Sequence, residues 1–150
     1  MSTAVLAPEA HHPPLIARRL GHAGLIPFVA GSLLVWLVRE EAHPYATGAL
    51  SAYAGVIISF LGGIHWGLAF RHEQPPLPLL VWGVVPSLVA WAAVMMPPSA
   101  GLVIHGFMLA ACYAVDRRIY AAEGVARWLT LRFRLSAVAA LCCFIGAAGT

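Results

Sequence analysis

The chain has 150 residues, 61% of them hydrophobic and only 10% charged, with a mean hydropathy of +0.82. Soluble domains carry roughly 25% charged residues and about 45–50% apolar ones, so these values exclude an ordinary soluble domain and point to an all-α integral membrane protein. All nine basic residues are arginine, giving a net charge of +3. They stand at the ends of apolar runs, a pattern of membrane topology rather than of a nucleic-acid partner.

Residues 1–19, with "HHPP" at their centre, read as an extended N-terminal tail. Arg18 and Arg19 then precede an apolar run without a small-x-small cleavage site. The run predicts an uncleaved first spanning helix over 20–38, kinked at Pro27. A helix in lipid needs about 20 mainly apolar residues, because its backbone polar groups must be bonded within the segment. Four more windows meet that need: 46–70, 78–96, 100–116 and 133–149. The architecture is a bundle of five transmembrane helices.

The second window contains "SFLGGIHWGLAF", with glycines and a histidine where lipid is the solvent. Steps of four give Ser51, Gly55, Ser59, Gly63 and Gly67. Such a small-xxx-small ladder lets another helix backbone approach closely, the helix-packing glue available inside lipid. His65 projects to the side opposite Gly63 and Gly67, and an ionisable group aimed at lipid is costly. That second face should meet protein as well, which makes this the central helix.

The third window carries Pro86, a further predicted kink, and only "MPPS" separates it from the fourth. A tight antiparallel hairpin follows from that spacing. In the fourth, His105, Cys112 and Asp116 fall within about 20° of one line, with His105 and Asp116 roughly 16 Å apart. Asp116 matches the depth of His65, so a contact between them is expected, or else a pairing of Asp116 with Arg117 or Arg118. Segment 117–132 is too polar to cross and reads as an amphipathic helix along the interface, interrupted at Gly124. Cys112, Cys142 and Cys143 lie in apolar runs and read as small buried hydrophobes.

Counting alternate sides, Arg18, Arg19, Arg71, Arg117, Arg118, Arg127, Arg132 and Arg134 fall on one side and only Arg39 on the other. Positive residues stay in the cytoplasm, so the N-terminus is expected inside and the C-terminus in the periplasm. Trp66, Trp82 and Trp128 at the basic interface and Trp36 at the other fit aromatic belts. The absence of lysine and asparagine suggests a GC-rich bacterial genome.

In order along the chain stand "GHAGLIPF", "YAGVIISFLGGIHWG", "WGVVPSLVAW", "DRR" and "RFRLSAV". Over residues 20–145 they resemble the family called domain of unknown function 3429, whose eukaryotic members are named transmembrane protein 69. The resemblance implies a multi-pass protein of bacterial inner membranes and mitochondria, and it brings no activity with it. The family motif falls on Gly62, Gly63, His65, Trp66 and Gly67.

No catalytic motif, metal-ligand spacing or phosphate loop occurs, so neither an enzyme nor a cofactor or metal is expected. The leading expectation is a non-catalytic accessory, assembly or stabilising subunit of a larger inner-membrane bioenergetic complex, respiratory or photosynthetic. Its partners are then the lipid bilayer and other integral membrane subunits. One alternative is a redox or ligand-binding protein holding haem, quinone or lipid through His22, His65, His105 or Asp116, with His22 and His65 as a possible axial haem pair. The other is a small transporter.

Overall fold

The computed structural model describes residues 12–150, so most of the expected tail lies outside the described residues. The elements are α1 (Leu15–Ala23), α2 (Ile26–Leu37), α3 (His43–Ala69), α4 (Leu77–Val94), α5 (Pro98–Ala122) and α6 (Leu129–Ala148). Counting α1 and α2 together, five segments are long and apolar enough to cross a membrane. No strand occurs among the described residues.

The first span is broken rather than merely kinked. Pro27, in the first turn of α2, has no N–H to continue the α1 ladder, and the chain turns at Gly24 and Leu25. Tyr53 of α3 donates its hydroxyl to the Gly24 carbonyl at 2.8 Å, which ties the break to the bundle. The helix also begins earlier than expected: Arg18 and Arg19 lie within α1, not in an extended tail.

The central helix is α3, which packs against α2, α4, α5 and α6. Its buried edge runs Ser51, Gly55, Ile58, Gly62, His65 and Ala69, with steps alternating between four and three. That alternation keeps one line on a helix of 3.6 residues per turn, whereas each step of four rotates the line by about 40°. The expected ladder therefore drifts off the buried face. Ser51 and Gly55 are buried and Ser59 is half-buried, but Gly63 and Gly67 are exposed, with nothing among the described residues beyond their own helix within 4 Å of where a Cβ would stand. His65 shares a face with Ser51, Gly55 and Gly62, so α3 has one buried face and not two.

The close backbone approach is made by Gly62 instead. A Cβ there would stand 2.6 Å from the Gly83 carbonyl oxygen of α4. Trp66 closes over the same crossing: its ring occupies the space a Gly83 side chain would need, and its Nε1 donates to the Leu80 carbonyl at 3.1 Å. Pro86, on the next turn of α4, is buried beside Gly62. Gly101 serves the α4–α5 hairpin in the same way, since a Cβ there would overlap the Ala93 carbonyl.

Segment 117–132 does not form an interfacial helix. Its first part, Arg117 to Ala122, completes α5, and its last part, from Leu129, opens α6. Between them Gly124 takes φ 72°, and the Val125 N–H donates to the Tyr120 carbonyl at 2.9 Å. This is the glycine-terminated helix end in which the left-handed residue reverses the chain. Arg117 and Arg118 remain exposed on the last turns of α5, where long side chains reach past apolar surface to a polar boundary.

The antiparallel hairpins gather the basic residues at one end of the bundle. Arg18, Arg127 and Arg134 line a shared groove there, and Arg71 reaches the Glu123 carbonyl. Seven arginines of this end are exposed: Arg18, Arg19, Arg71, Arg117, Arg118, Arg127 and Arg134. Arg132 is the exception. It is buried at 8% exposure rather than lying at the interface.

Candidate functional site

A carboxylate inside an apolar bundle is stable only with a partner, because burying an unpaired charge is expensive. Asp116, on α5, is 1% exposed. Its Oδ2 accepts hydrogen bonds from Arg132 Nε, at 2.9 Å, and from Arg132 Nη2. Its other oxygen, Oδ1, lies 3.1 Å from His65 Nε2. That separation is a close contact, yet neither atom makes an aligned hydrogen bond. We read it as proximity without directional bonding, because hydrogen bonds weaken steeply as their angle closes.

The second ring nitrogen of His65 settles which way the imidazole is used. The Leu61 carbonyl only accepts, so Nδ1–H donates to it, at 3.2 Å. Nε2 is then left facing the carboxylate. The Tyr120 ring lies tilted against His65 with centroids 6.4 Å apart. One cluster thereby joins α3, α5 and α6 near the arginine-rich end, buried except for its edge at Arg132.

A second polar cluster lies at the opposite end of the same α5 stripe. His105 is fully buried, with Nε2 3.3 Å from the Ala90 carbonyl and Nδ1 3.5 Å from Ser51 Oγ. An Nε2–H donated to Ala90 and a serine hydroxyl donated to Nδ1 satisfy the ring on both sides. This clamps α5 to α4 and α3. Cys112, midway between the clusters, is buried as a free thiol, as are Cys142 and Cys143.

His22 belongs to neither cluster. It is exposed on α1, donates Nδ1–H to the Arg18 carbonyl at 2.7 Å, and lines the groove of Arg18, Arg127 and Arg134. His65, in contrast, is buried, with its ring nitrogens facing the Leu61 carbonyl and Asp116.

Residues 13–148 match the family described as protein of unknown function, DUF3429. The chain belongs to this family. Transmembrane protein 69 of Xenopus tropicalis is 40% identical over 107 residues, covering 67% of this chain and 42% of that protein. Transmembrane protein 69 of Mus musculus is 26% identical over 126 residues, covering 82% of this chain and 51% of that protein. The chain thus spans about half the length of these curated relatives. No solved structure matches it. With the five apolar helices, these relatives make it a multi-pass membrane protein of the DUF3429 family.

The "GGIHWG" motif that carries the family resemblance now divides by role. Gly62 and Trp66 make the α3–α4 crossing, and His65 meets Asp116. Among the described residues, nothing beyond their own helix lies within 4 Å of where a Cβ at Gly63 or Gly67 would stand. The partner of Asp116 is Arg132, sixteen residues on, and not the neighbouring Arg117 or Arg118. Starting the last helix at 133 hid it. Begun four residues earlier, α6 places Arg132, Ser136, Ala139 and Cys143 on one buried line with steps of four, three and four.

Proposed function

We propose that the chain is a non-catalytic accessory or stabilising subunit of a larger bioenergetic complex in a bacterial inner membrane, with its arginine-rich end in the cytoplasm. The observation that carries this reading is the outward face of α3. Gly63 and Gly67 leave a notch one turn long, flanked by the exposed rings of Phe60, Trp66 and Phe70. Small residues on a lipid-facing surface let a helix from another chain approach closely, and packing rather than water exclusion then holds the pair. The polar clusters are spent on holding helices together, which supports a scaffold rather than a catalyst.

Purified from its native membrane in mild detergent, the chain is expected to migrate with larger subunits. Gly63→Phe should release it from them while its own thermal unfolding stays close to that of the parent. A parent protein that migrates alone, or a Gly63→Phe variant that still co-migrates, overturns the reading. The orientation has its own test. A reporter active only outside the cytoplasm is expected to work fused after Thr150 and to fail fused after Arg71; the reverse pattern would place the arginine-rich end outside.

A further inference from the structure

The arginine-rich end is not evenly basic. Arg18 and His22 of α1, Arg127 of the short turn before α6, and Thr130 and Arg134 of α6 line one groove of about 170 Å³. Three separate elements thus bring three guanidinium groups to a single place, and Arg117 and Arg118 of α5 take no part in it. The bias of positive residues towards one side of a membrane explains why arginines lie at this end. It gives no reason for three of them to converge.

Like charges gathered together repel, and more strongly where the dielectric is below that of water. No carboxylate lines the groove, and among the described residues none of Arg18, Arg127 and Arg134 forms an ion pair. Thr130 adds a hydroxyl donor to the same wall. Positive charge with donors and no carboxylate is the chemistry of an anion site. The volume is that of about six water molecules, at about 30 Å³ each, room for a phosphate group and not for a folded segment.

The surface beyond the groove indicates which anion. From Arg134 one line of α6 continues through Val138, Leu141 and Ile145, with steps of four, three and four. All three apolar side chains are exposed. The line runs about 16 Å along the helix axis, close to half of the roughly 30 Å hydrocarbon thickness. An apolar track one leaflet deep therefore starts at the groove and follows the helix into the bilayer. A free anion or an acidic peptide would leave that track uncovered, whereas a phospholipid covers both parts.

We propose that the groove binds an anionic phospholipid, with its phosphate among Arg18, Arg127 and Arg134 and an acyl chain along Val138, Leu141 and Ile145. Basic pockets between helices at a membrane boundary suit such headgroups. A zwitterionic lipid suits this one less, because its ammonium would meet three cations and no carboxylate. The inference goes beyond the accessory role and does not depend on it.

The test uses the full chain, purified in mild detergent and stripped of lipid. Native mass spectrometry counts the lipid bound during titration with dioleoyl phosphatidylglycerol or dioleoyl phosphatidylcholine. The glycerol lipid is expected to saturate at one per chain and to bind about fivefold more tightly than the choline lipid, or better. Arg127→Gln and Arg134→Gln should each weaken it about fivefold, the worth of one basic residue against an anionic lipid, with thermal unfolding of the lipid-free protein unchanged. Arg117→Gln, at the same end but outside the groove, should bind like the parent. Glycerophosphoglycerol, the same headgroup without acyl chains, should not compete at equal concentration. Equal binding of the two lipids, binding that does not saturate, or displacement by glycerophosphoglycerol each overturns the proposal. So does parent-like binding by folded Arg127→Gln and Arg134→Gln variants, or an equal loss in Arg117→Gln.

Discussion

Asp116→Ala is expected to cost about 3–5 kcal/mol of stability, the penalty for stranding one member of a buried ion pair. The carboxylate is 1% exposed and is the group to which both Arg132 Nε and Nη2 donate. Removing it leaves the guanidinium of Arg132, only 8% exposed, without its buried partner. Folded proteins have only about 5–15 kcal/mol in reserve, so the variant should accumulate poorly. Thermal unfolding in detergent and the amount recovered from membranes both read the effect.

The double variant separates pairing from packing. Asp116→Leu with Arg132→Met removes both charges, and buried ion pairs replaced by apolar side chains of similar volume are often neutral or more stable. Most of the single-variant loss should return. His65→Gln is expected to be mild, because interhelical hydrogen bonds in membranes average about 0.6 kcal/mol and the His65–Asp116 contact is not aligned as one. If Asp116→Ala unfolds at the parent temperature, the cluster is not holding α5 to α6.

The spans were legible in the sequence because hydropathy and proline report directly on what lipid permits. His65 and Asp116 were placed together by depth alone, since two polar groups at one level of an apolar bundle have few other partners. Two things were not legible. The end of α5 depends on Gly124 adopting positive φ, so a charged stretch that is really two helix ends and a reversal resembled a separate surface helix. The partner of Asp116 was lost with it, because Arg132 counted as interfacial once its helix was started too late. The small-residue ladder erred differently. A spacing of four looks regular in a sequence yet drifts around the helix, and only the alternation of four and three tracks a packed face.

That geometric difference makes adjacent glycines behave oppositely. Gly62→Leu is expected to disrupt the bundle, and Gly63→Leu to leave it intact. The Cβ of any residue at 62 would stand 2.6 Å from the carbonyl oxygen of Gly83 and 3.5 Å from Pro86 Cβ. The nearest obstacle is backbone, which cannot rotate aside, so α3 and α4 must separate. Ordinary overpacking costs about 1–3 kcal/mol. Here the cost should exceed that, because separation also pulls Trp66 from its bond to the Leu80 carbonyl and uncovers Gly83. At 63 the added side chain meets open space, and leucine is as apolar as the lipid it would enter. Unfolding temperatures of the two variants, measured side by side in detergent, decide the matter. A Gly62→Leu variant as stable as Gly63→Leu would mean that α3 and α4 do not cross at Gly62 and Gly83.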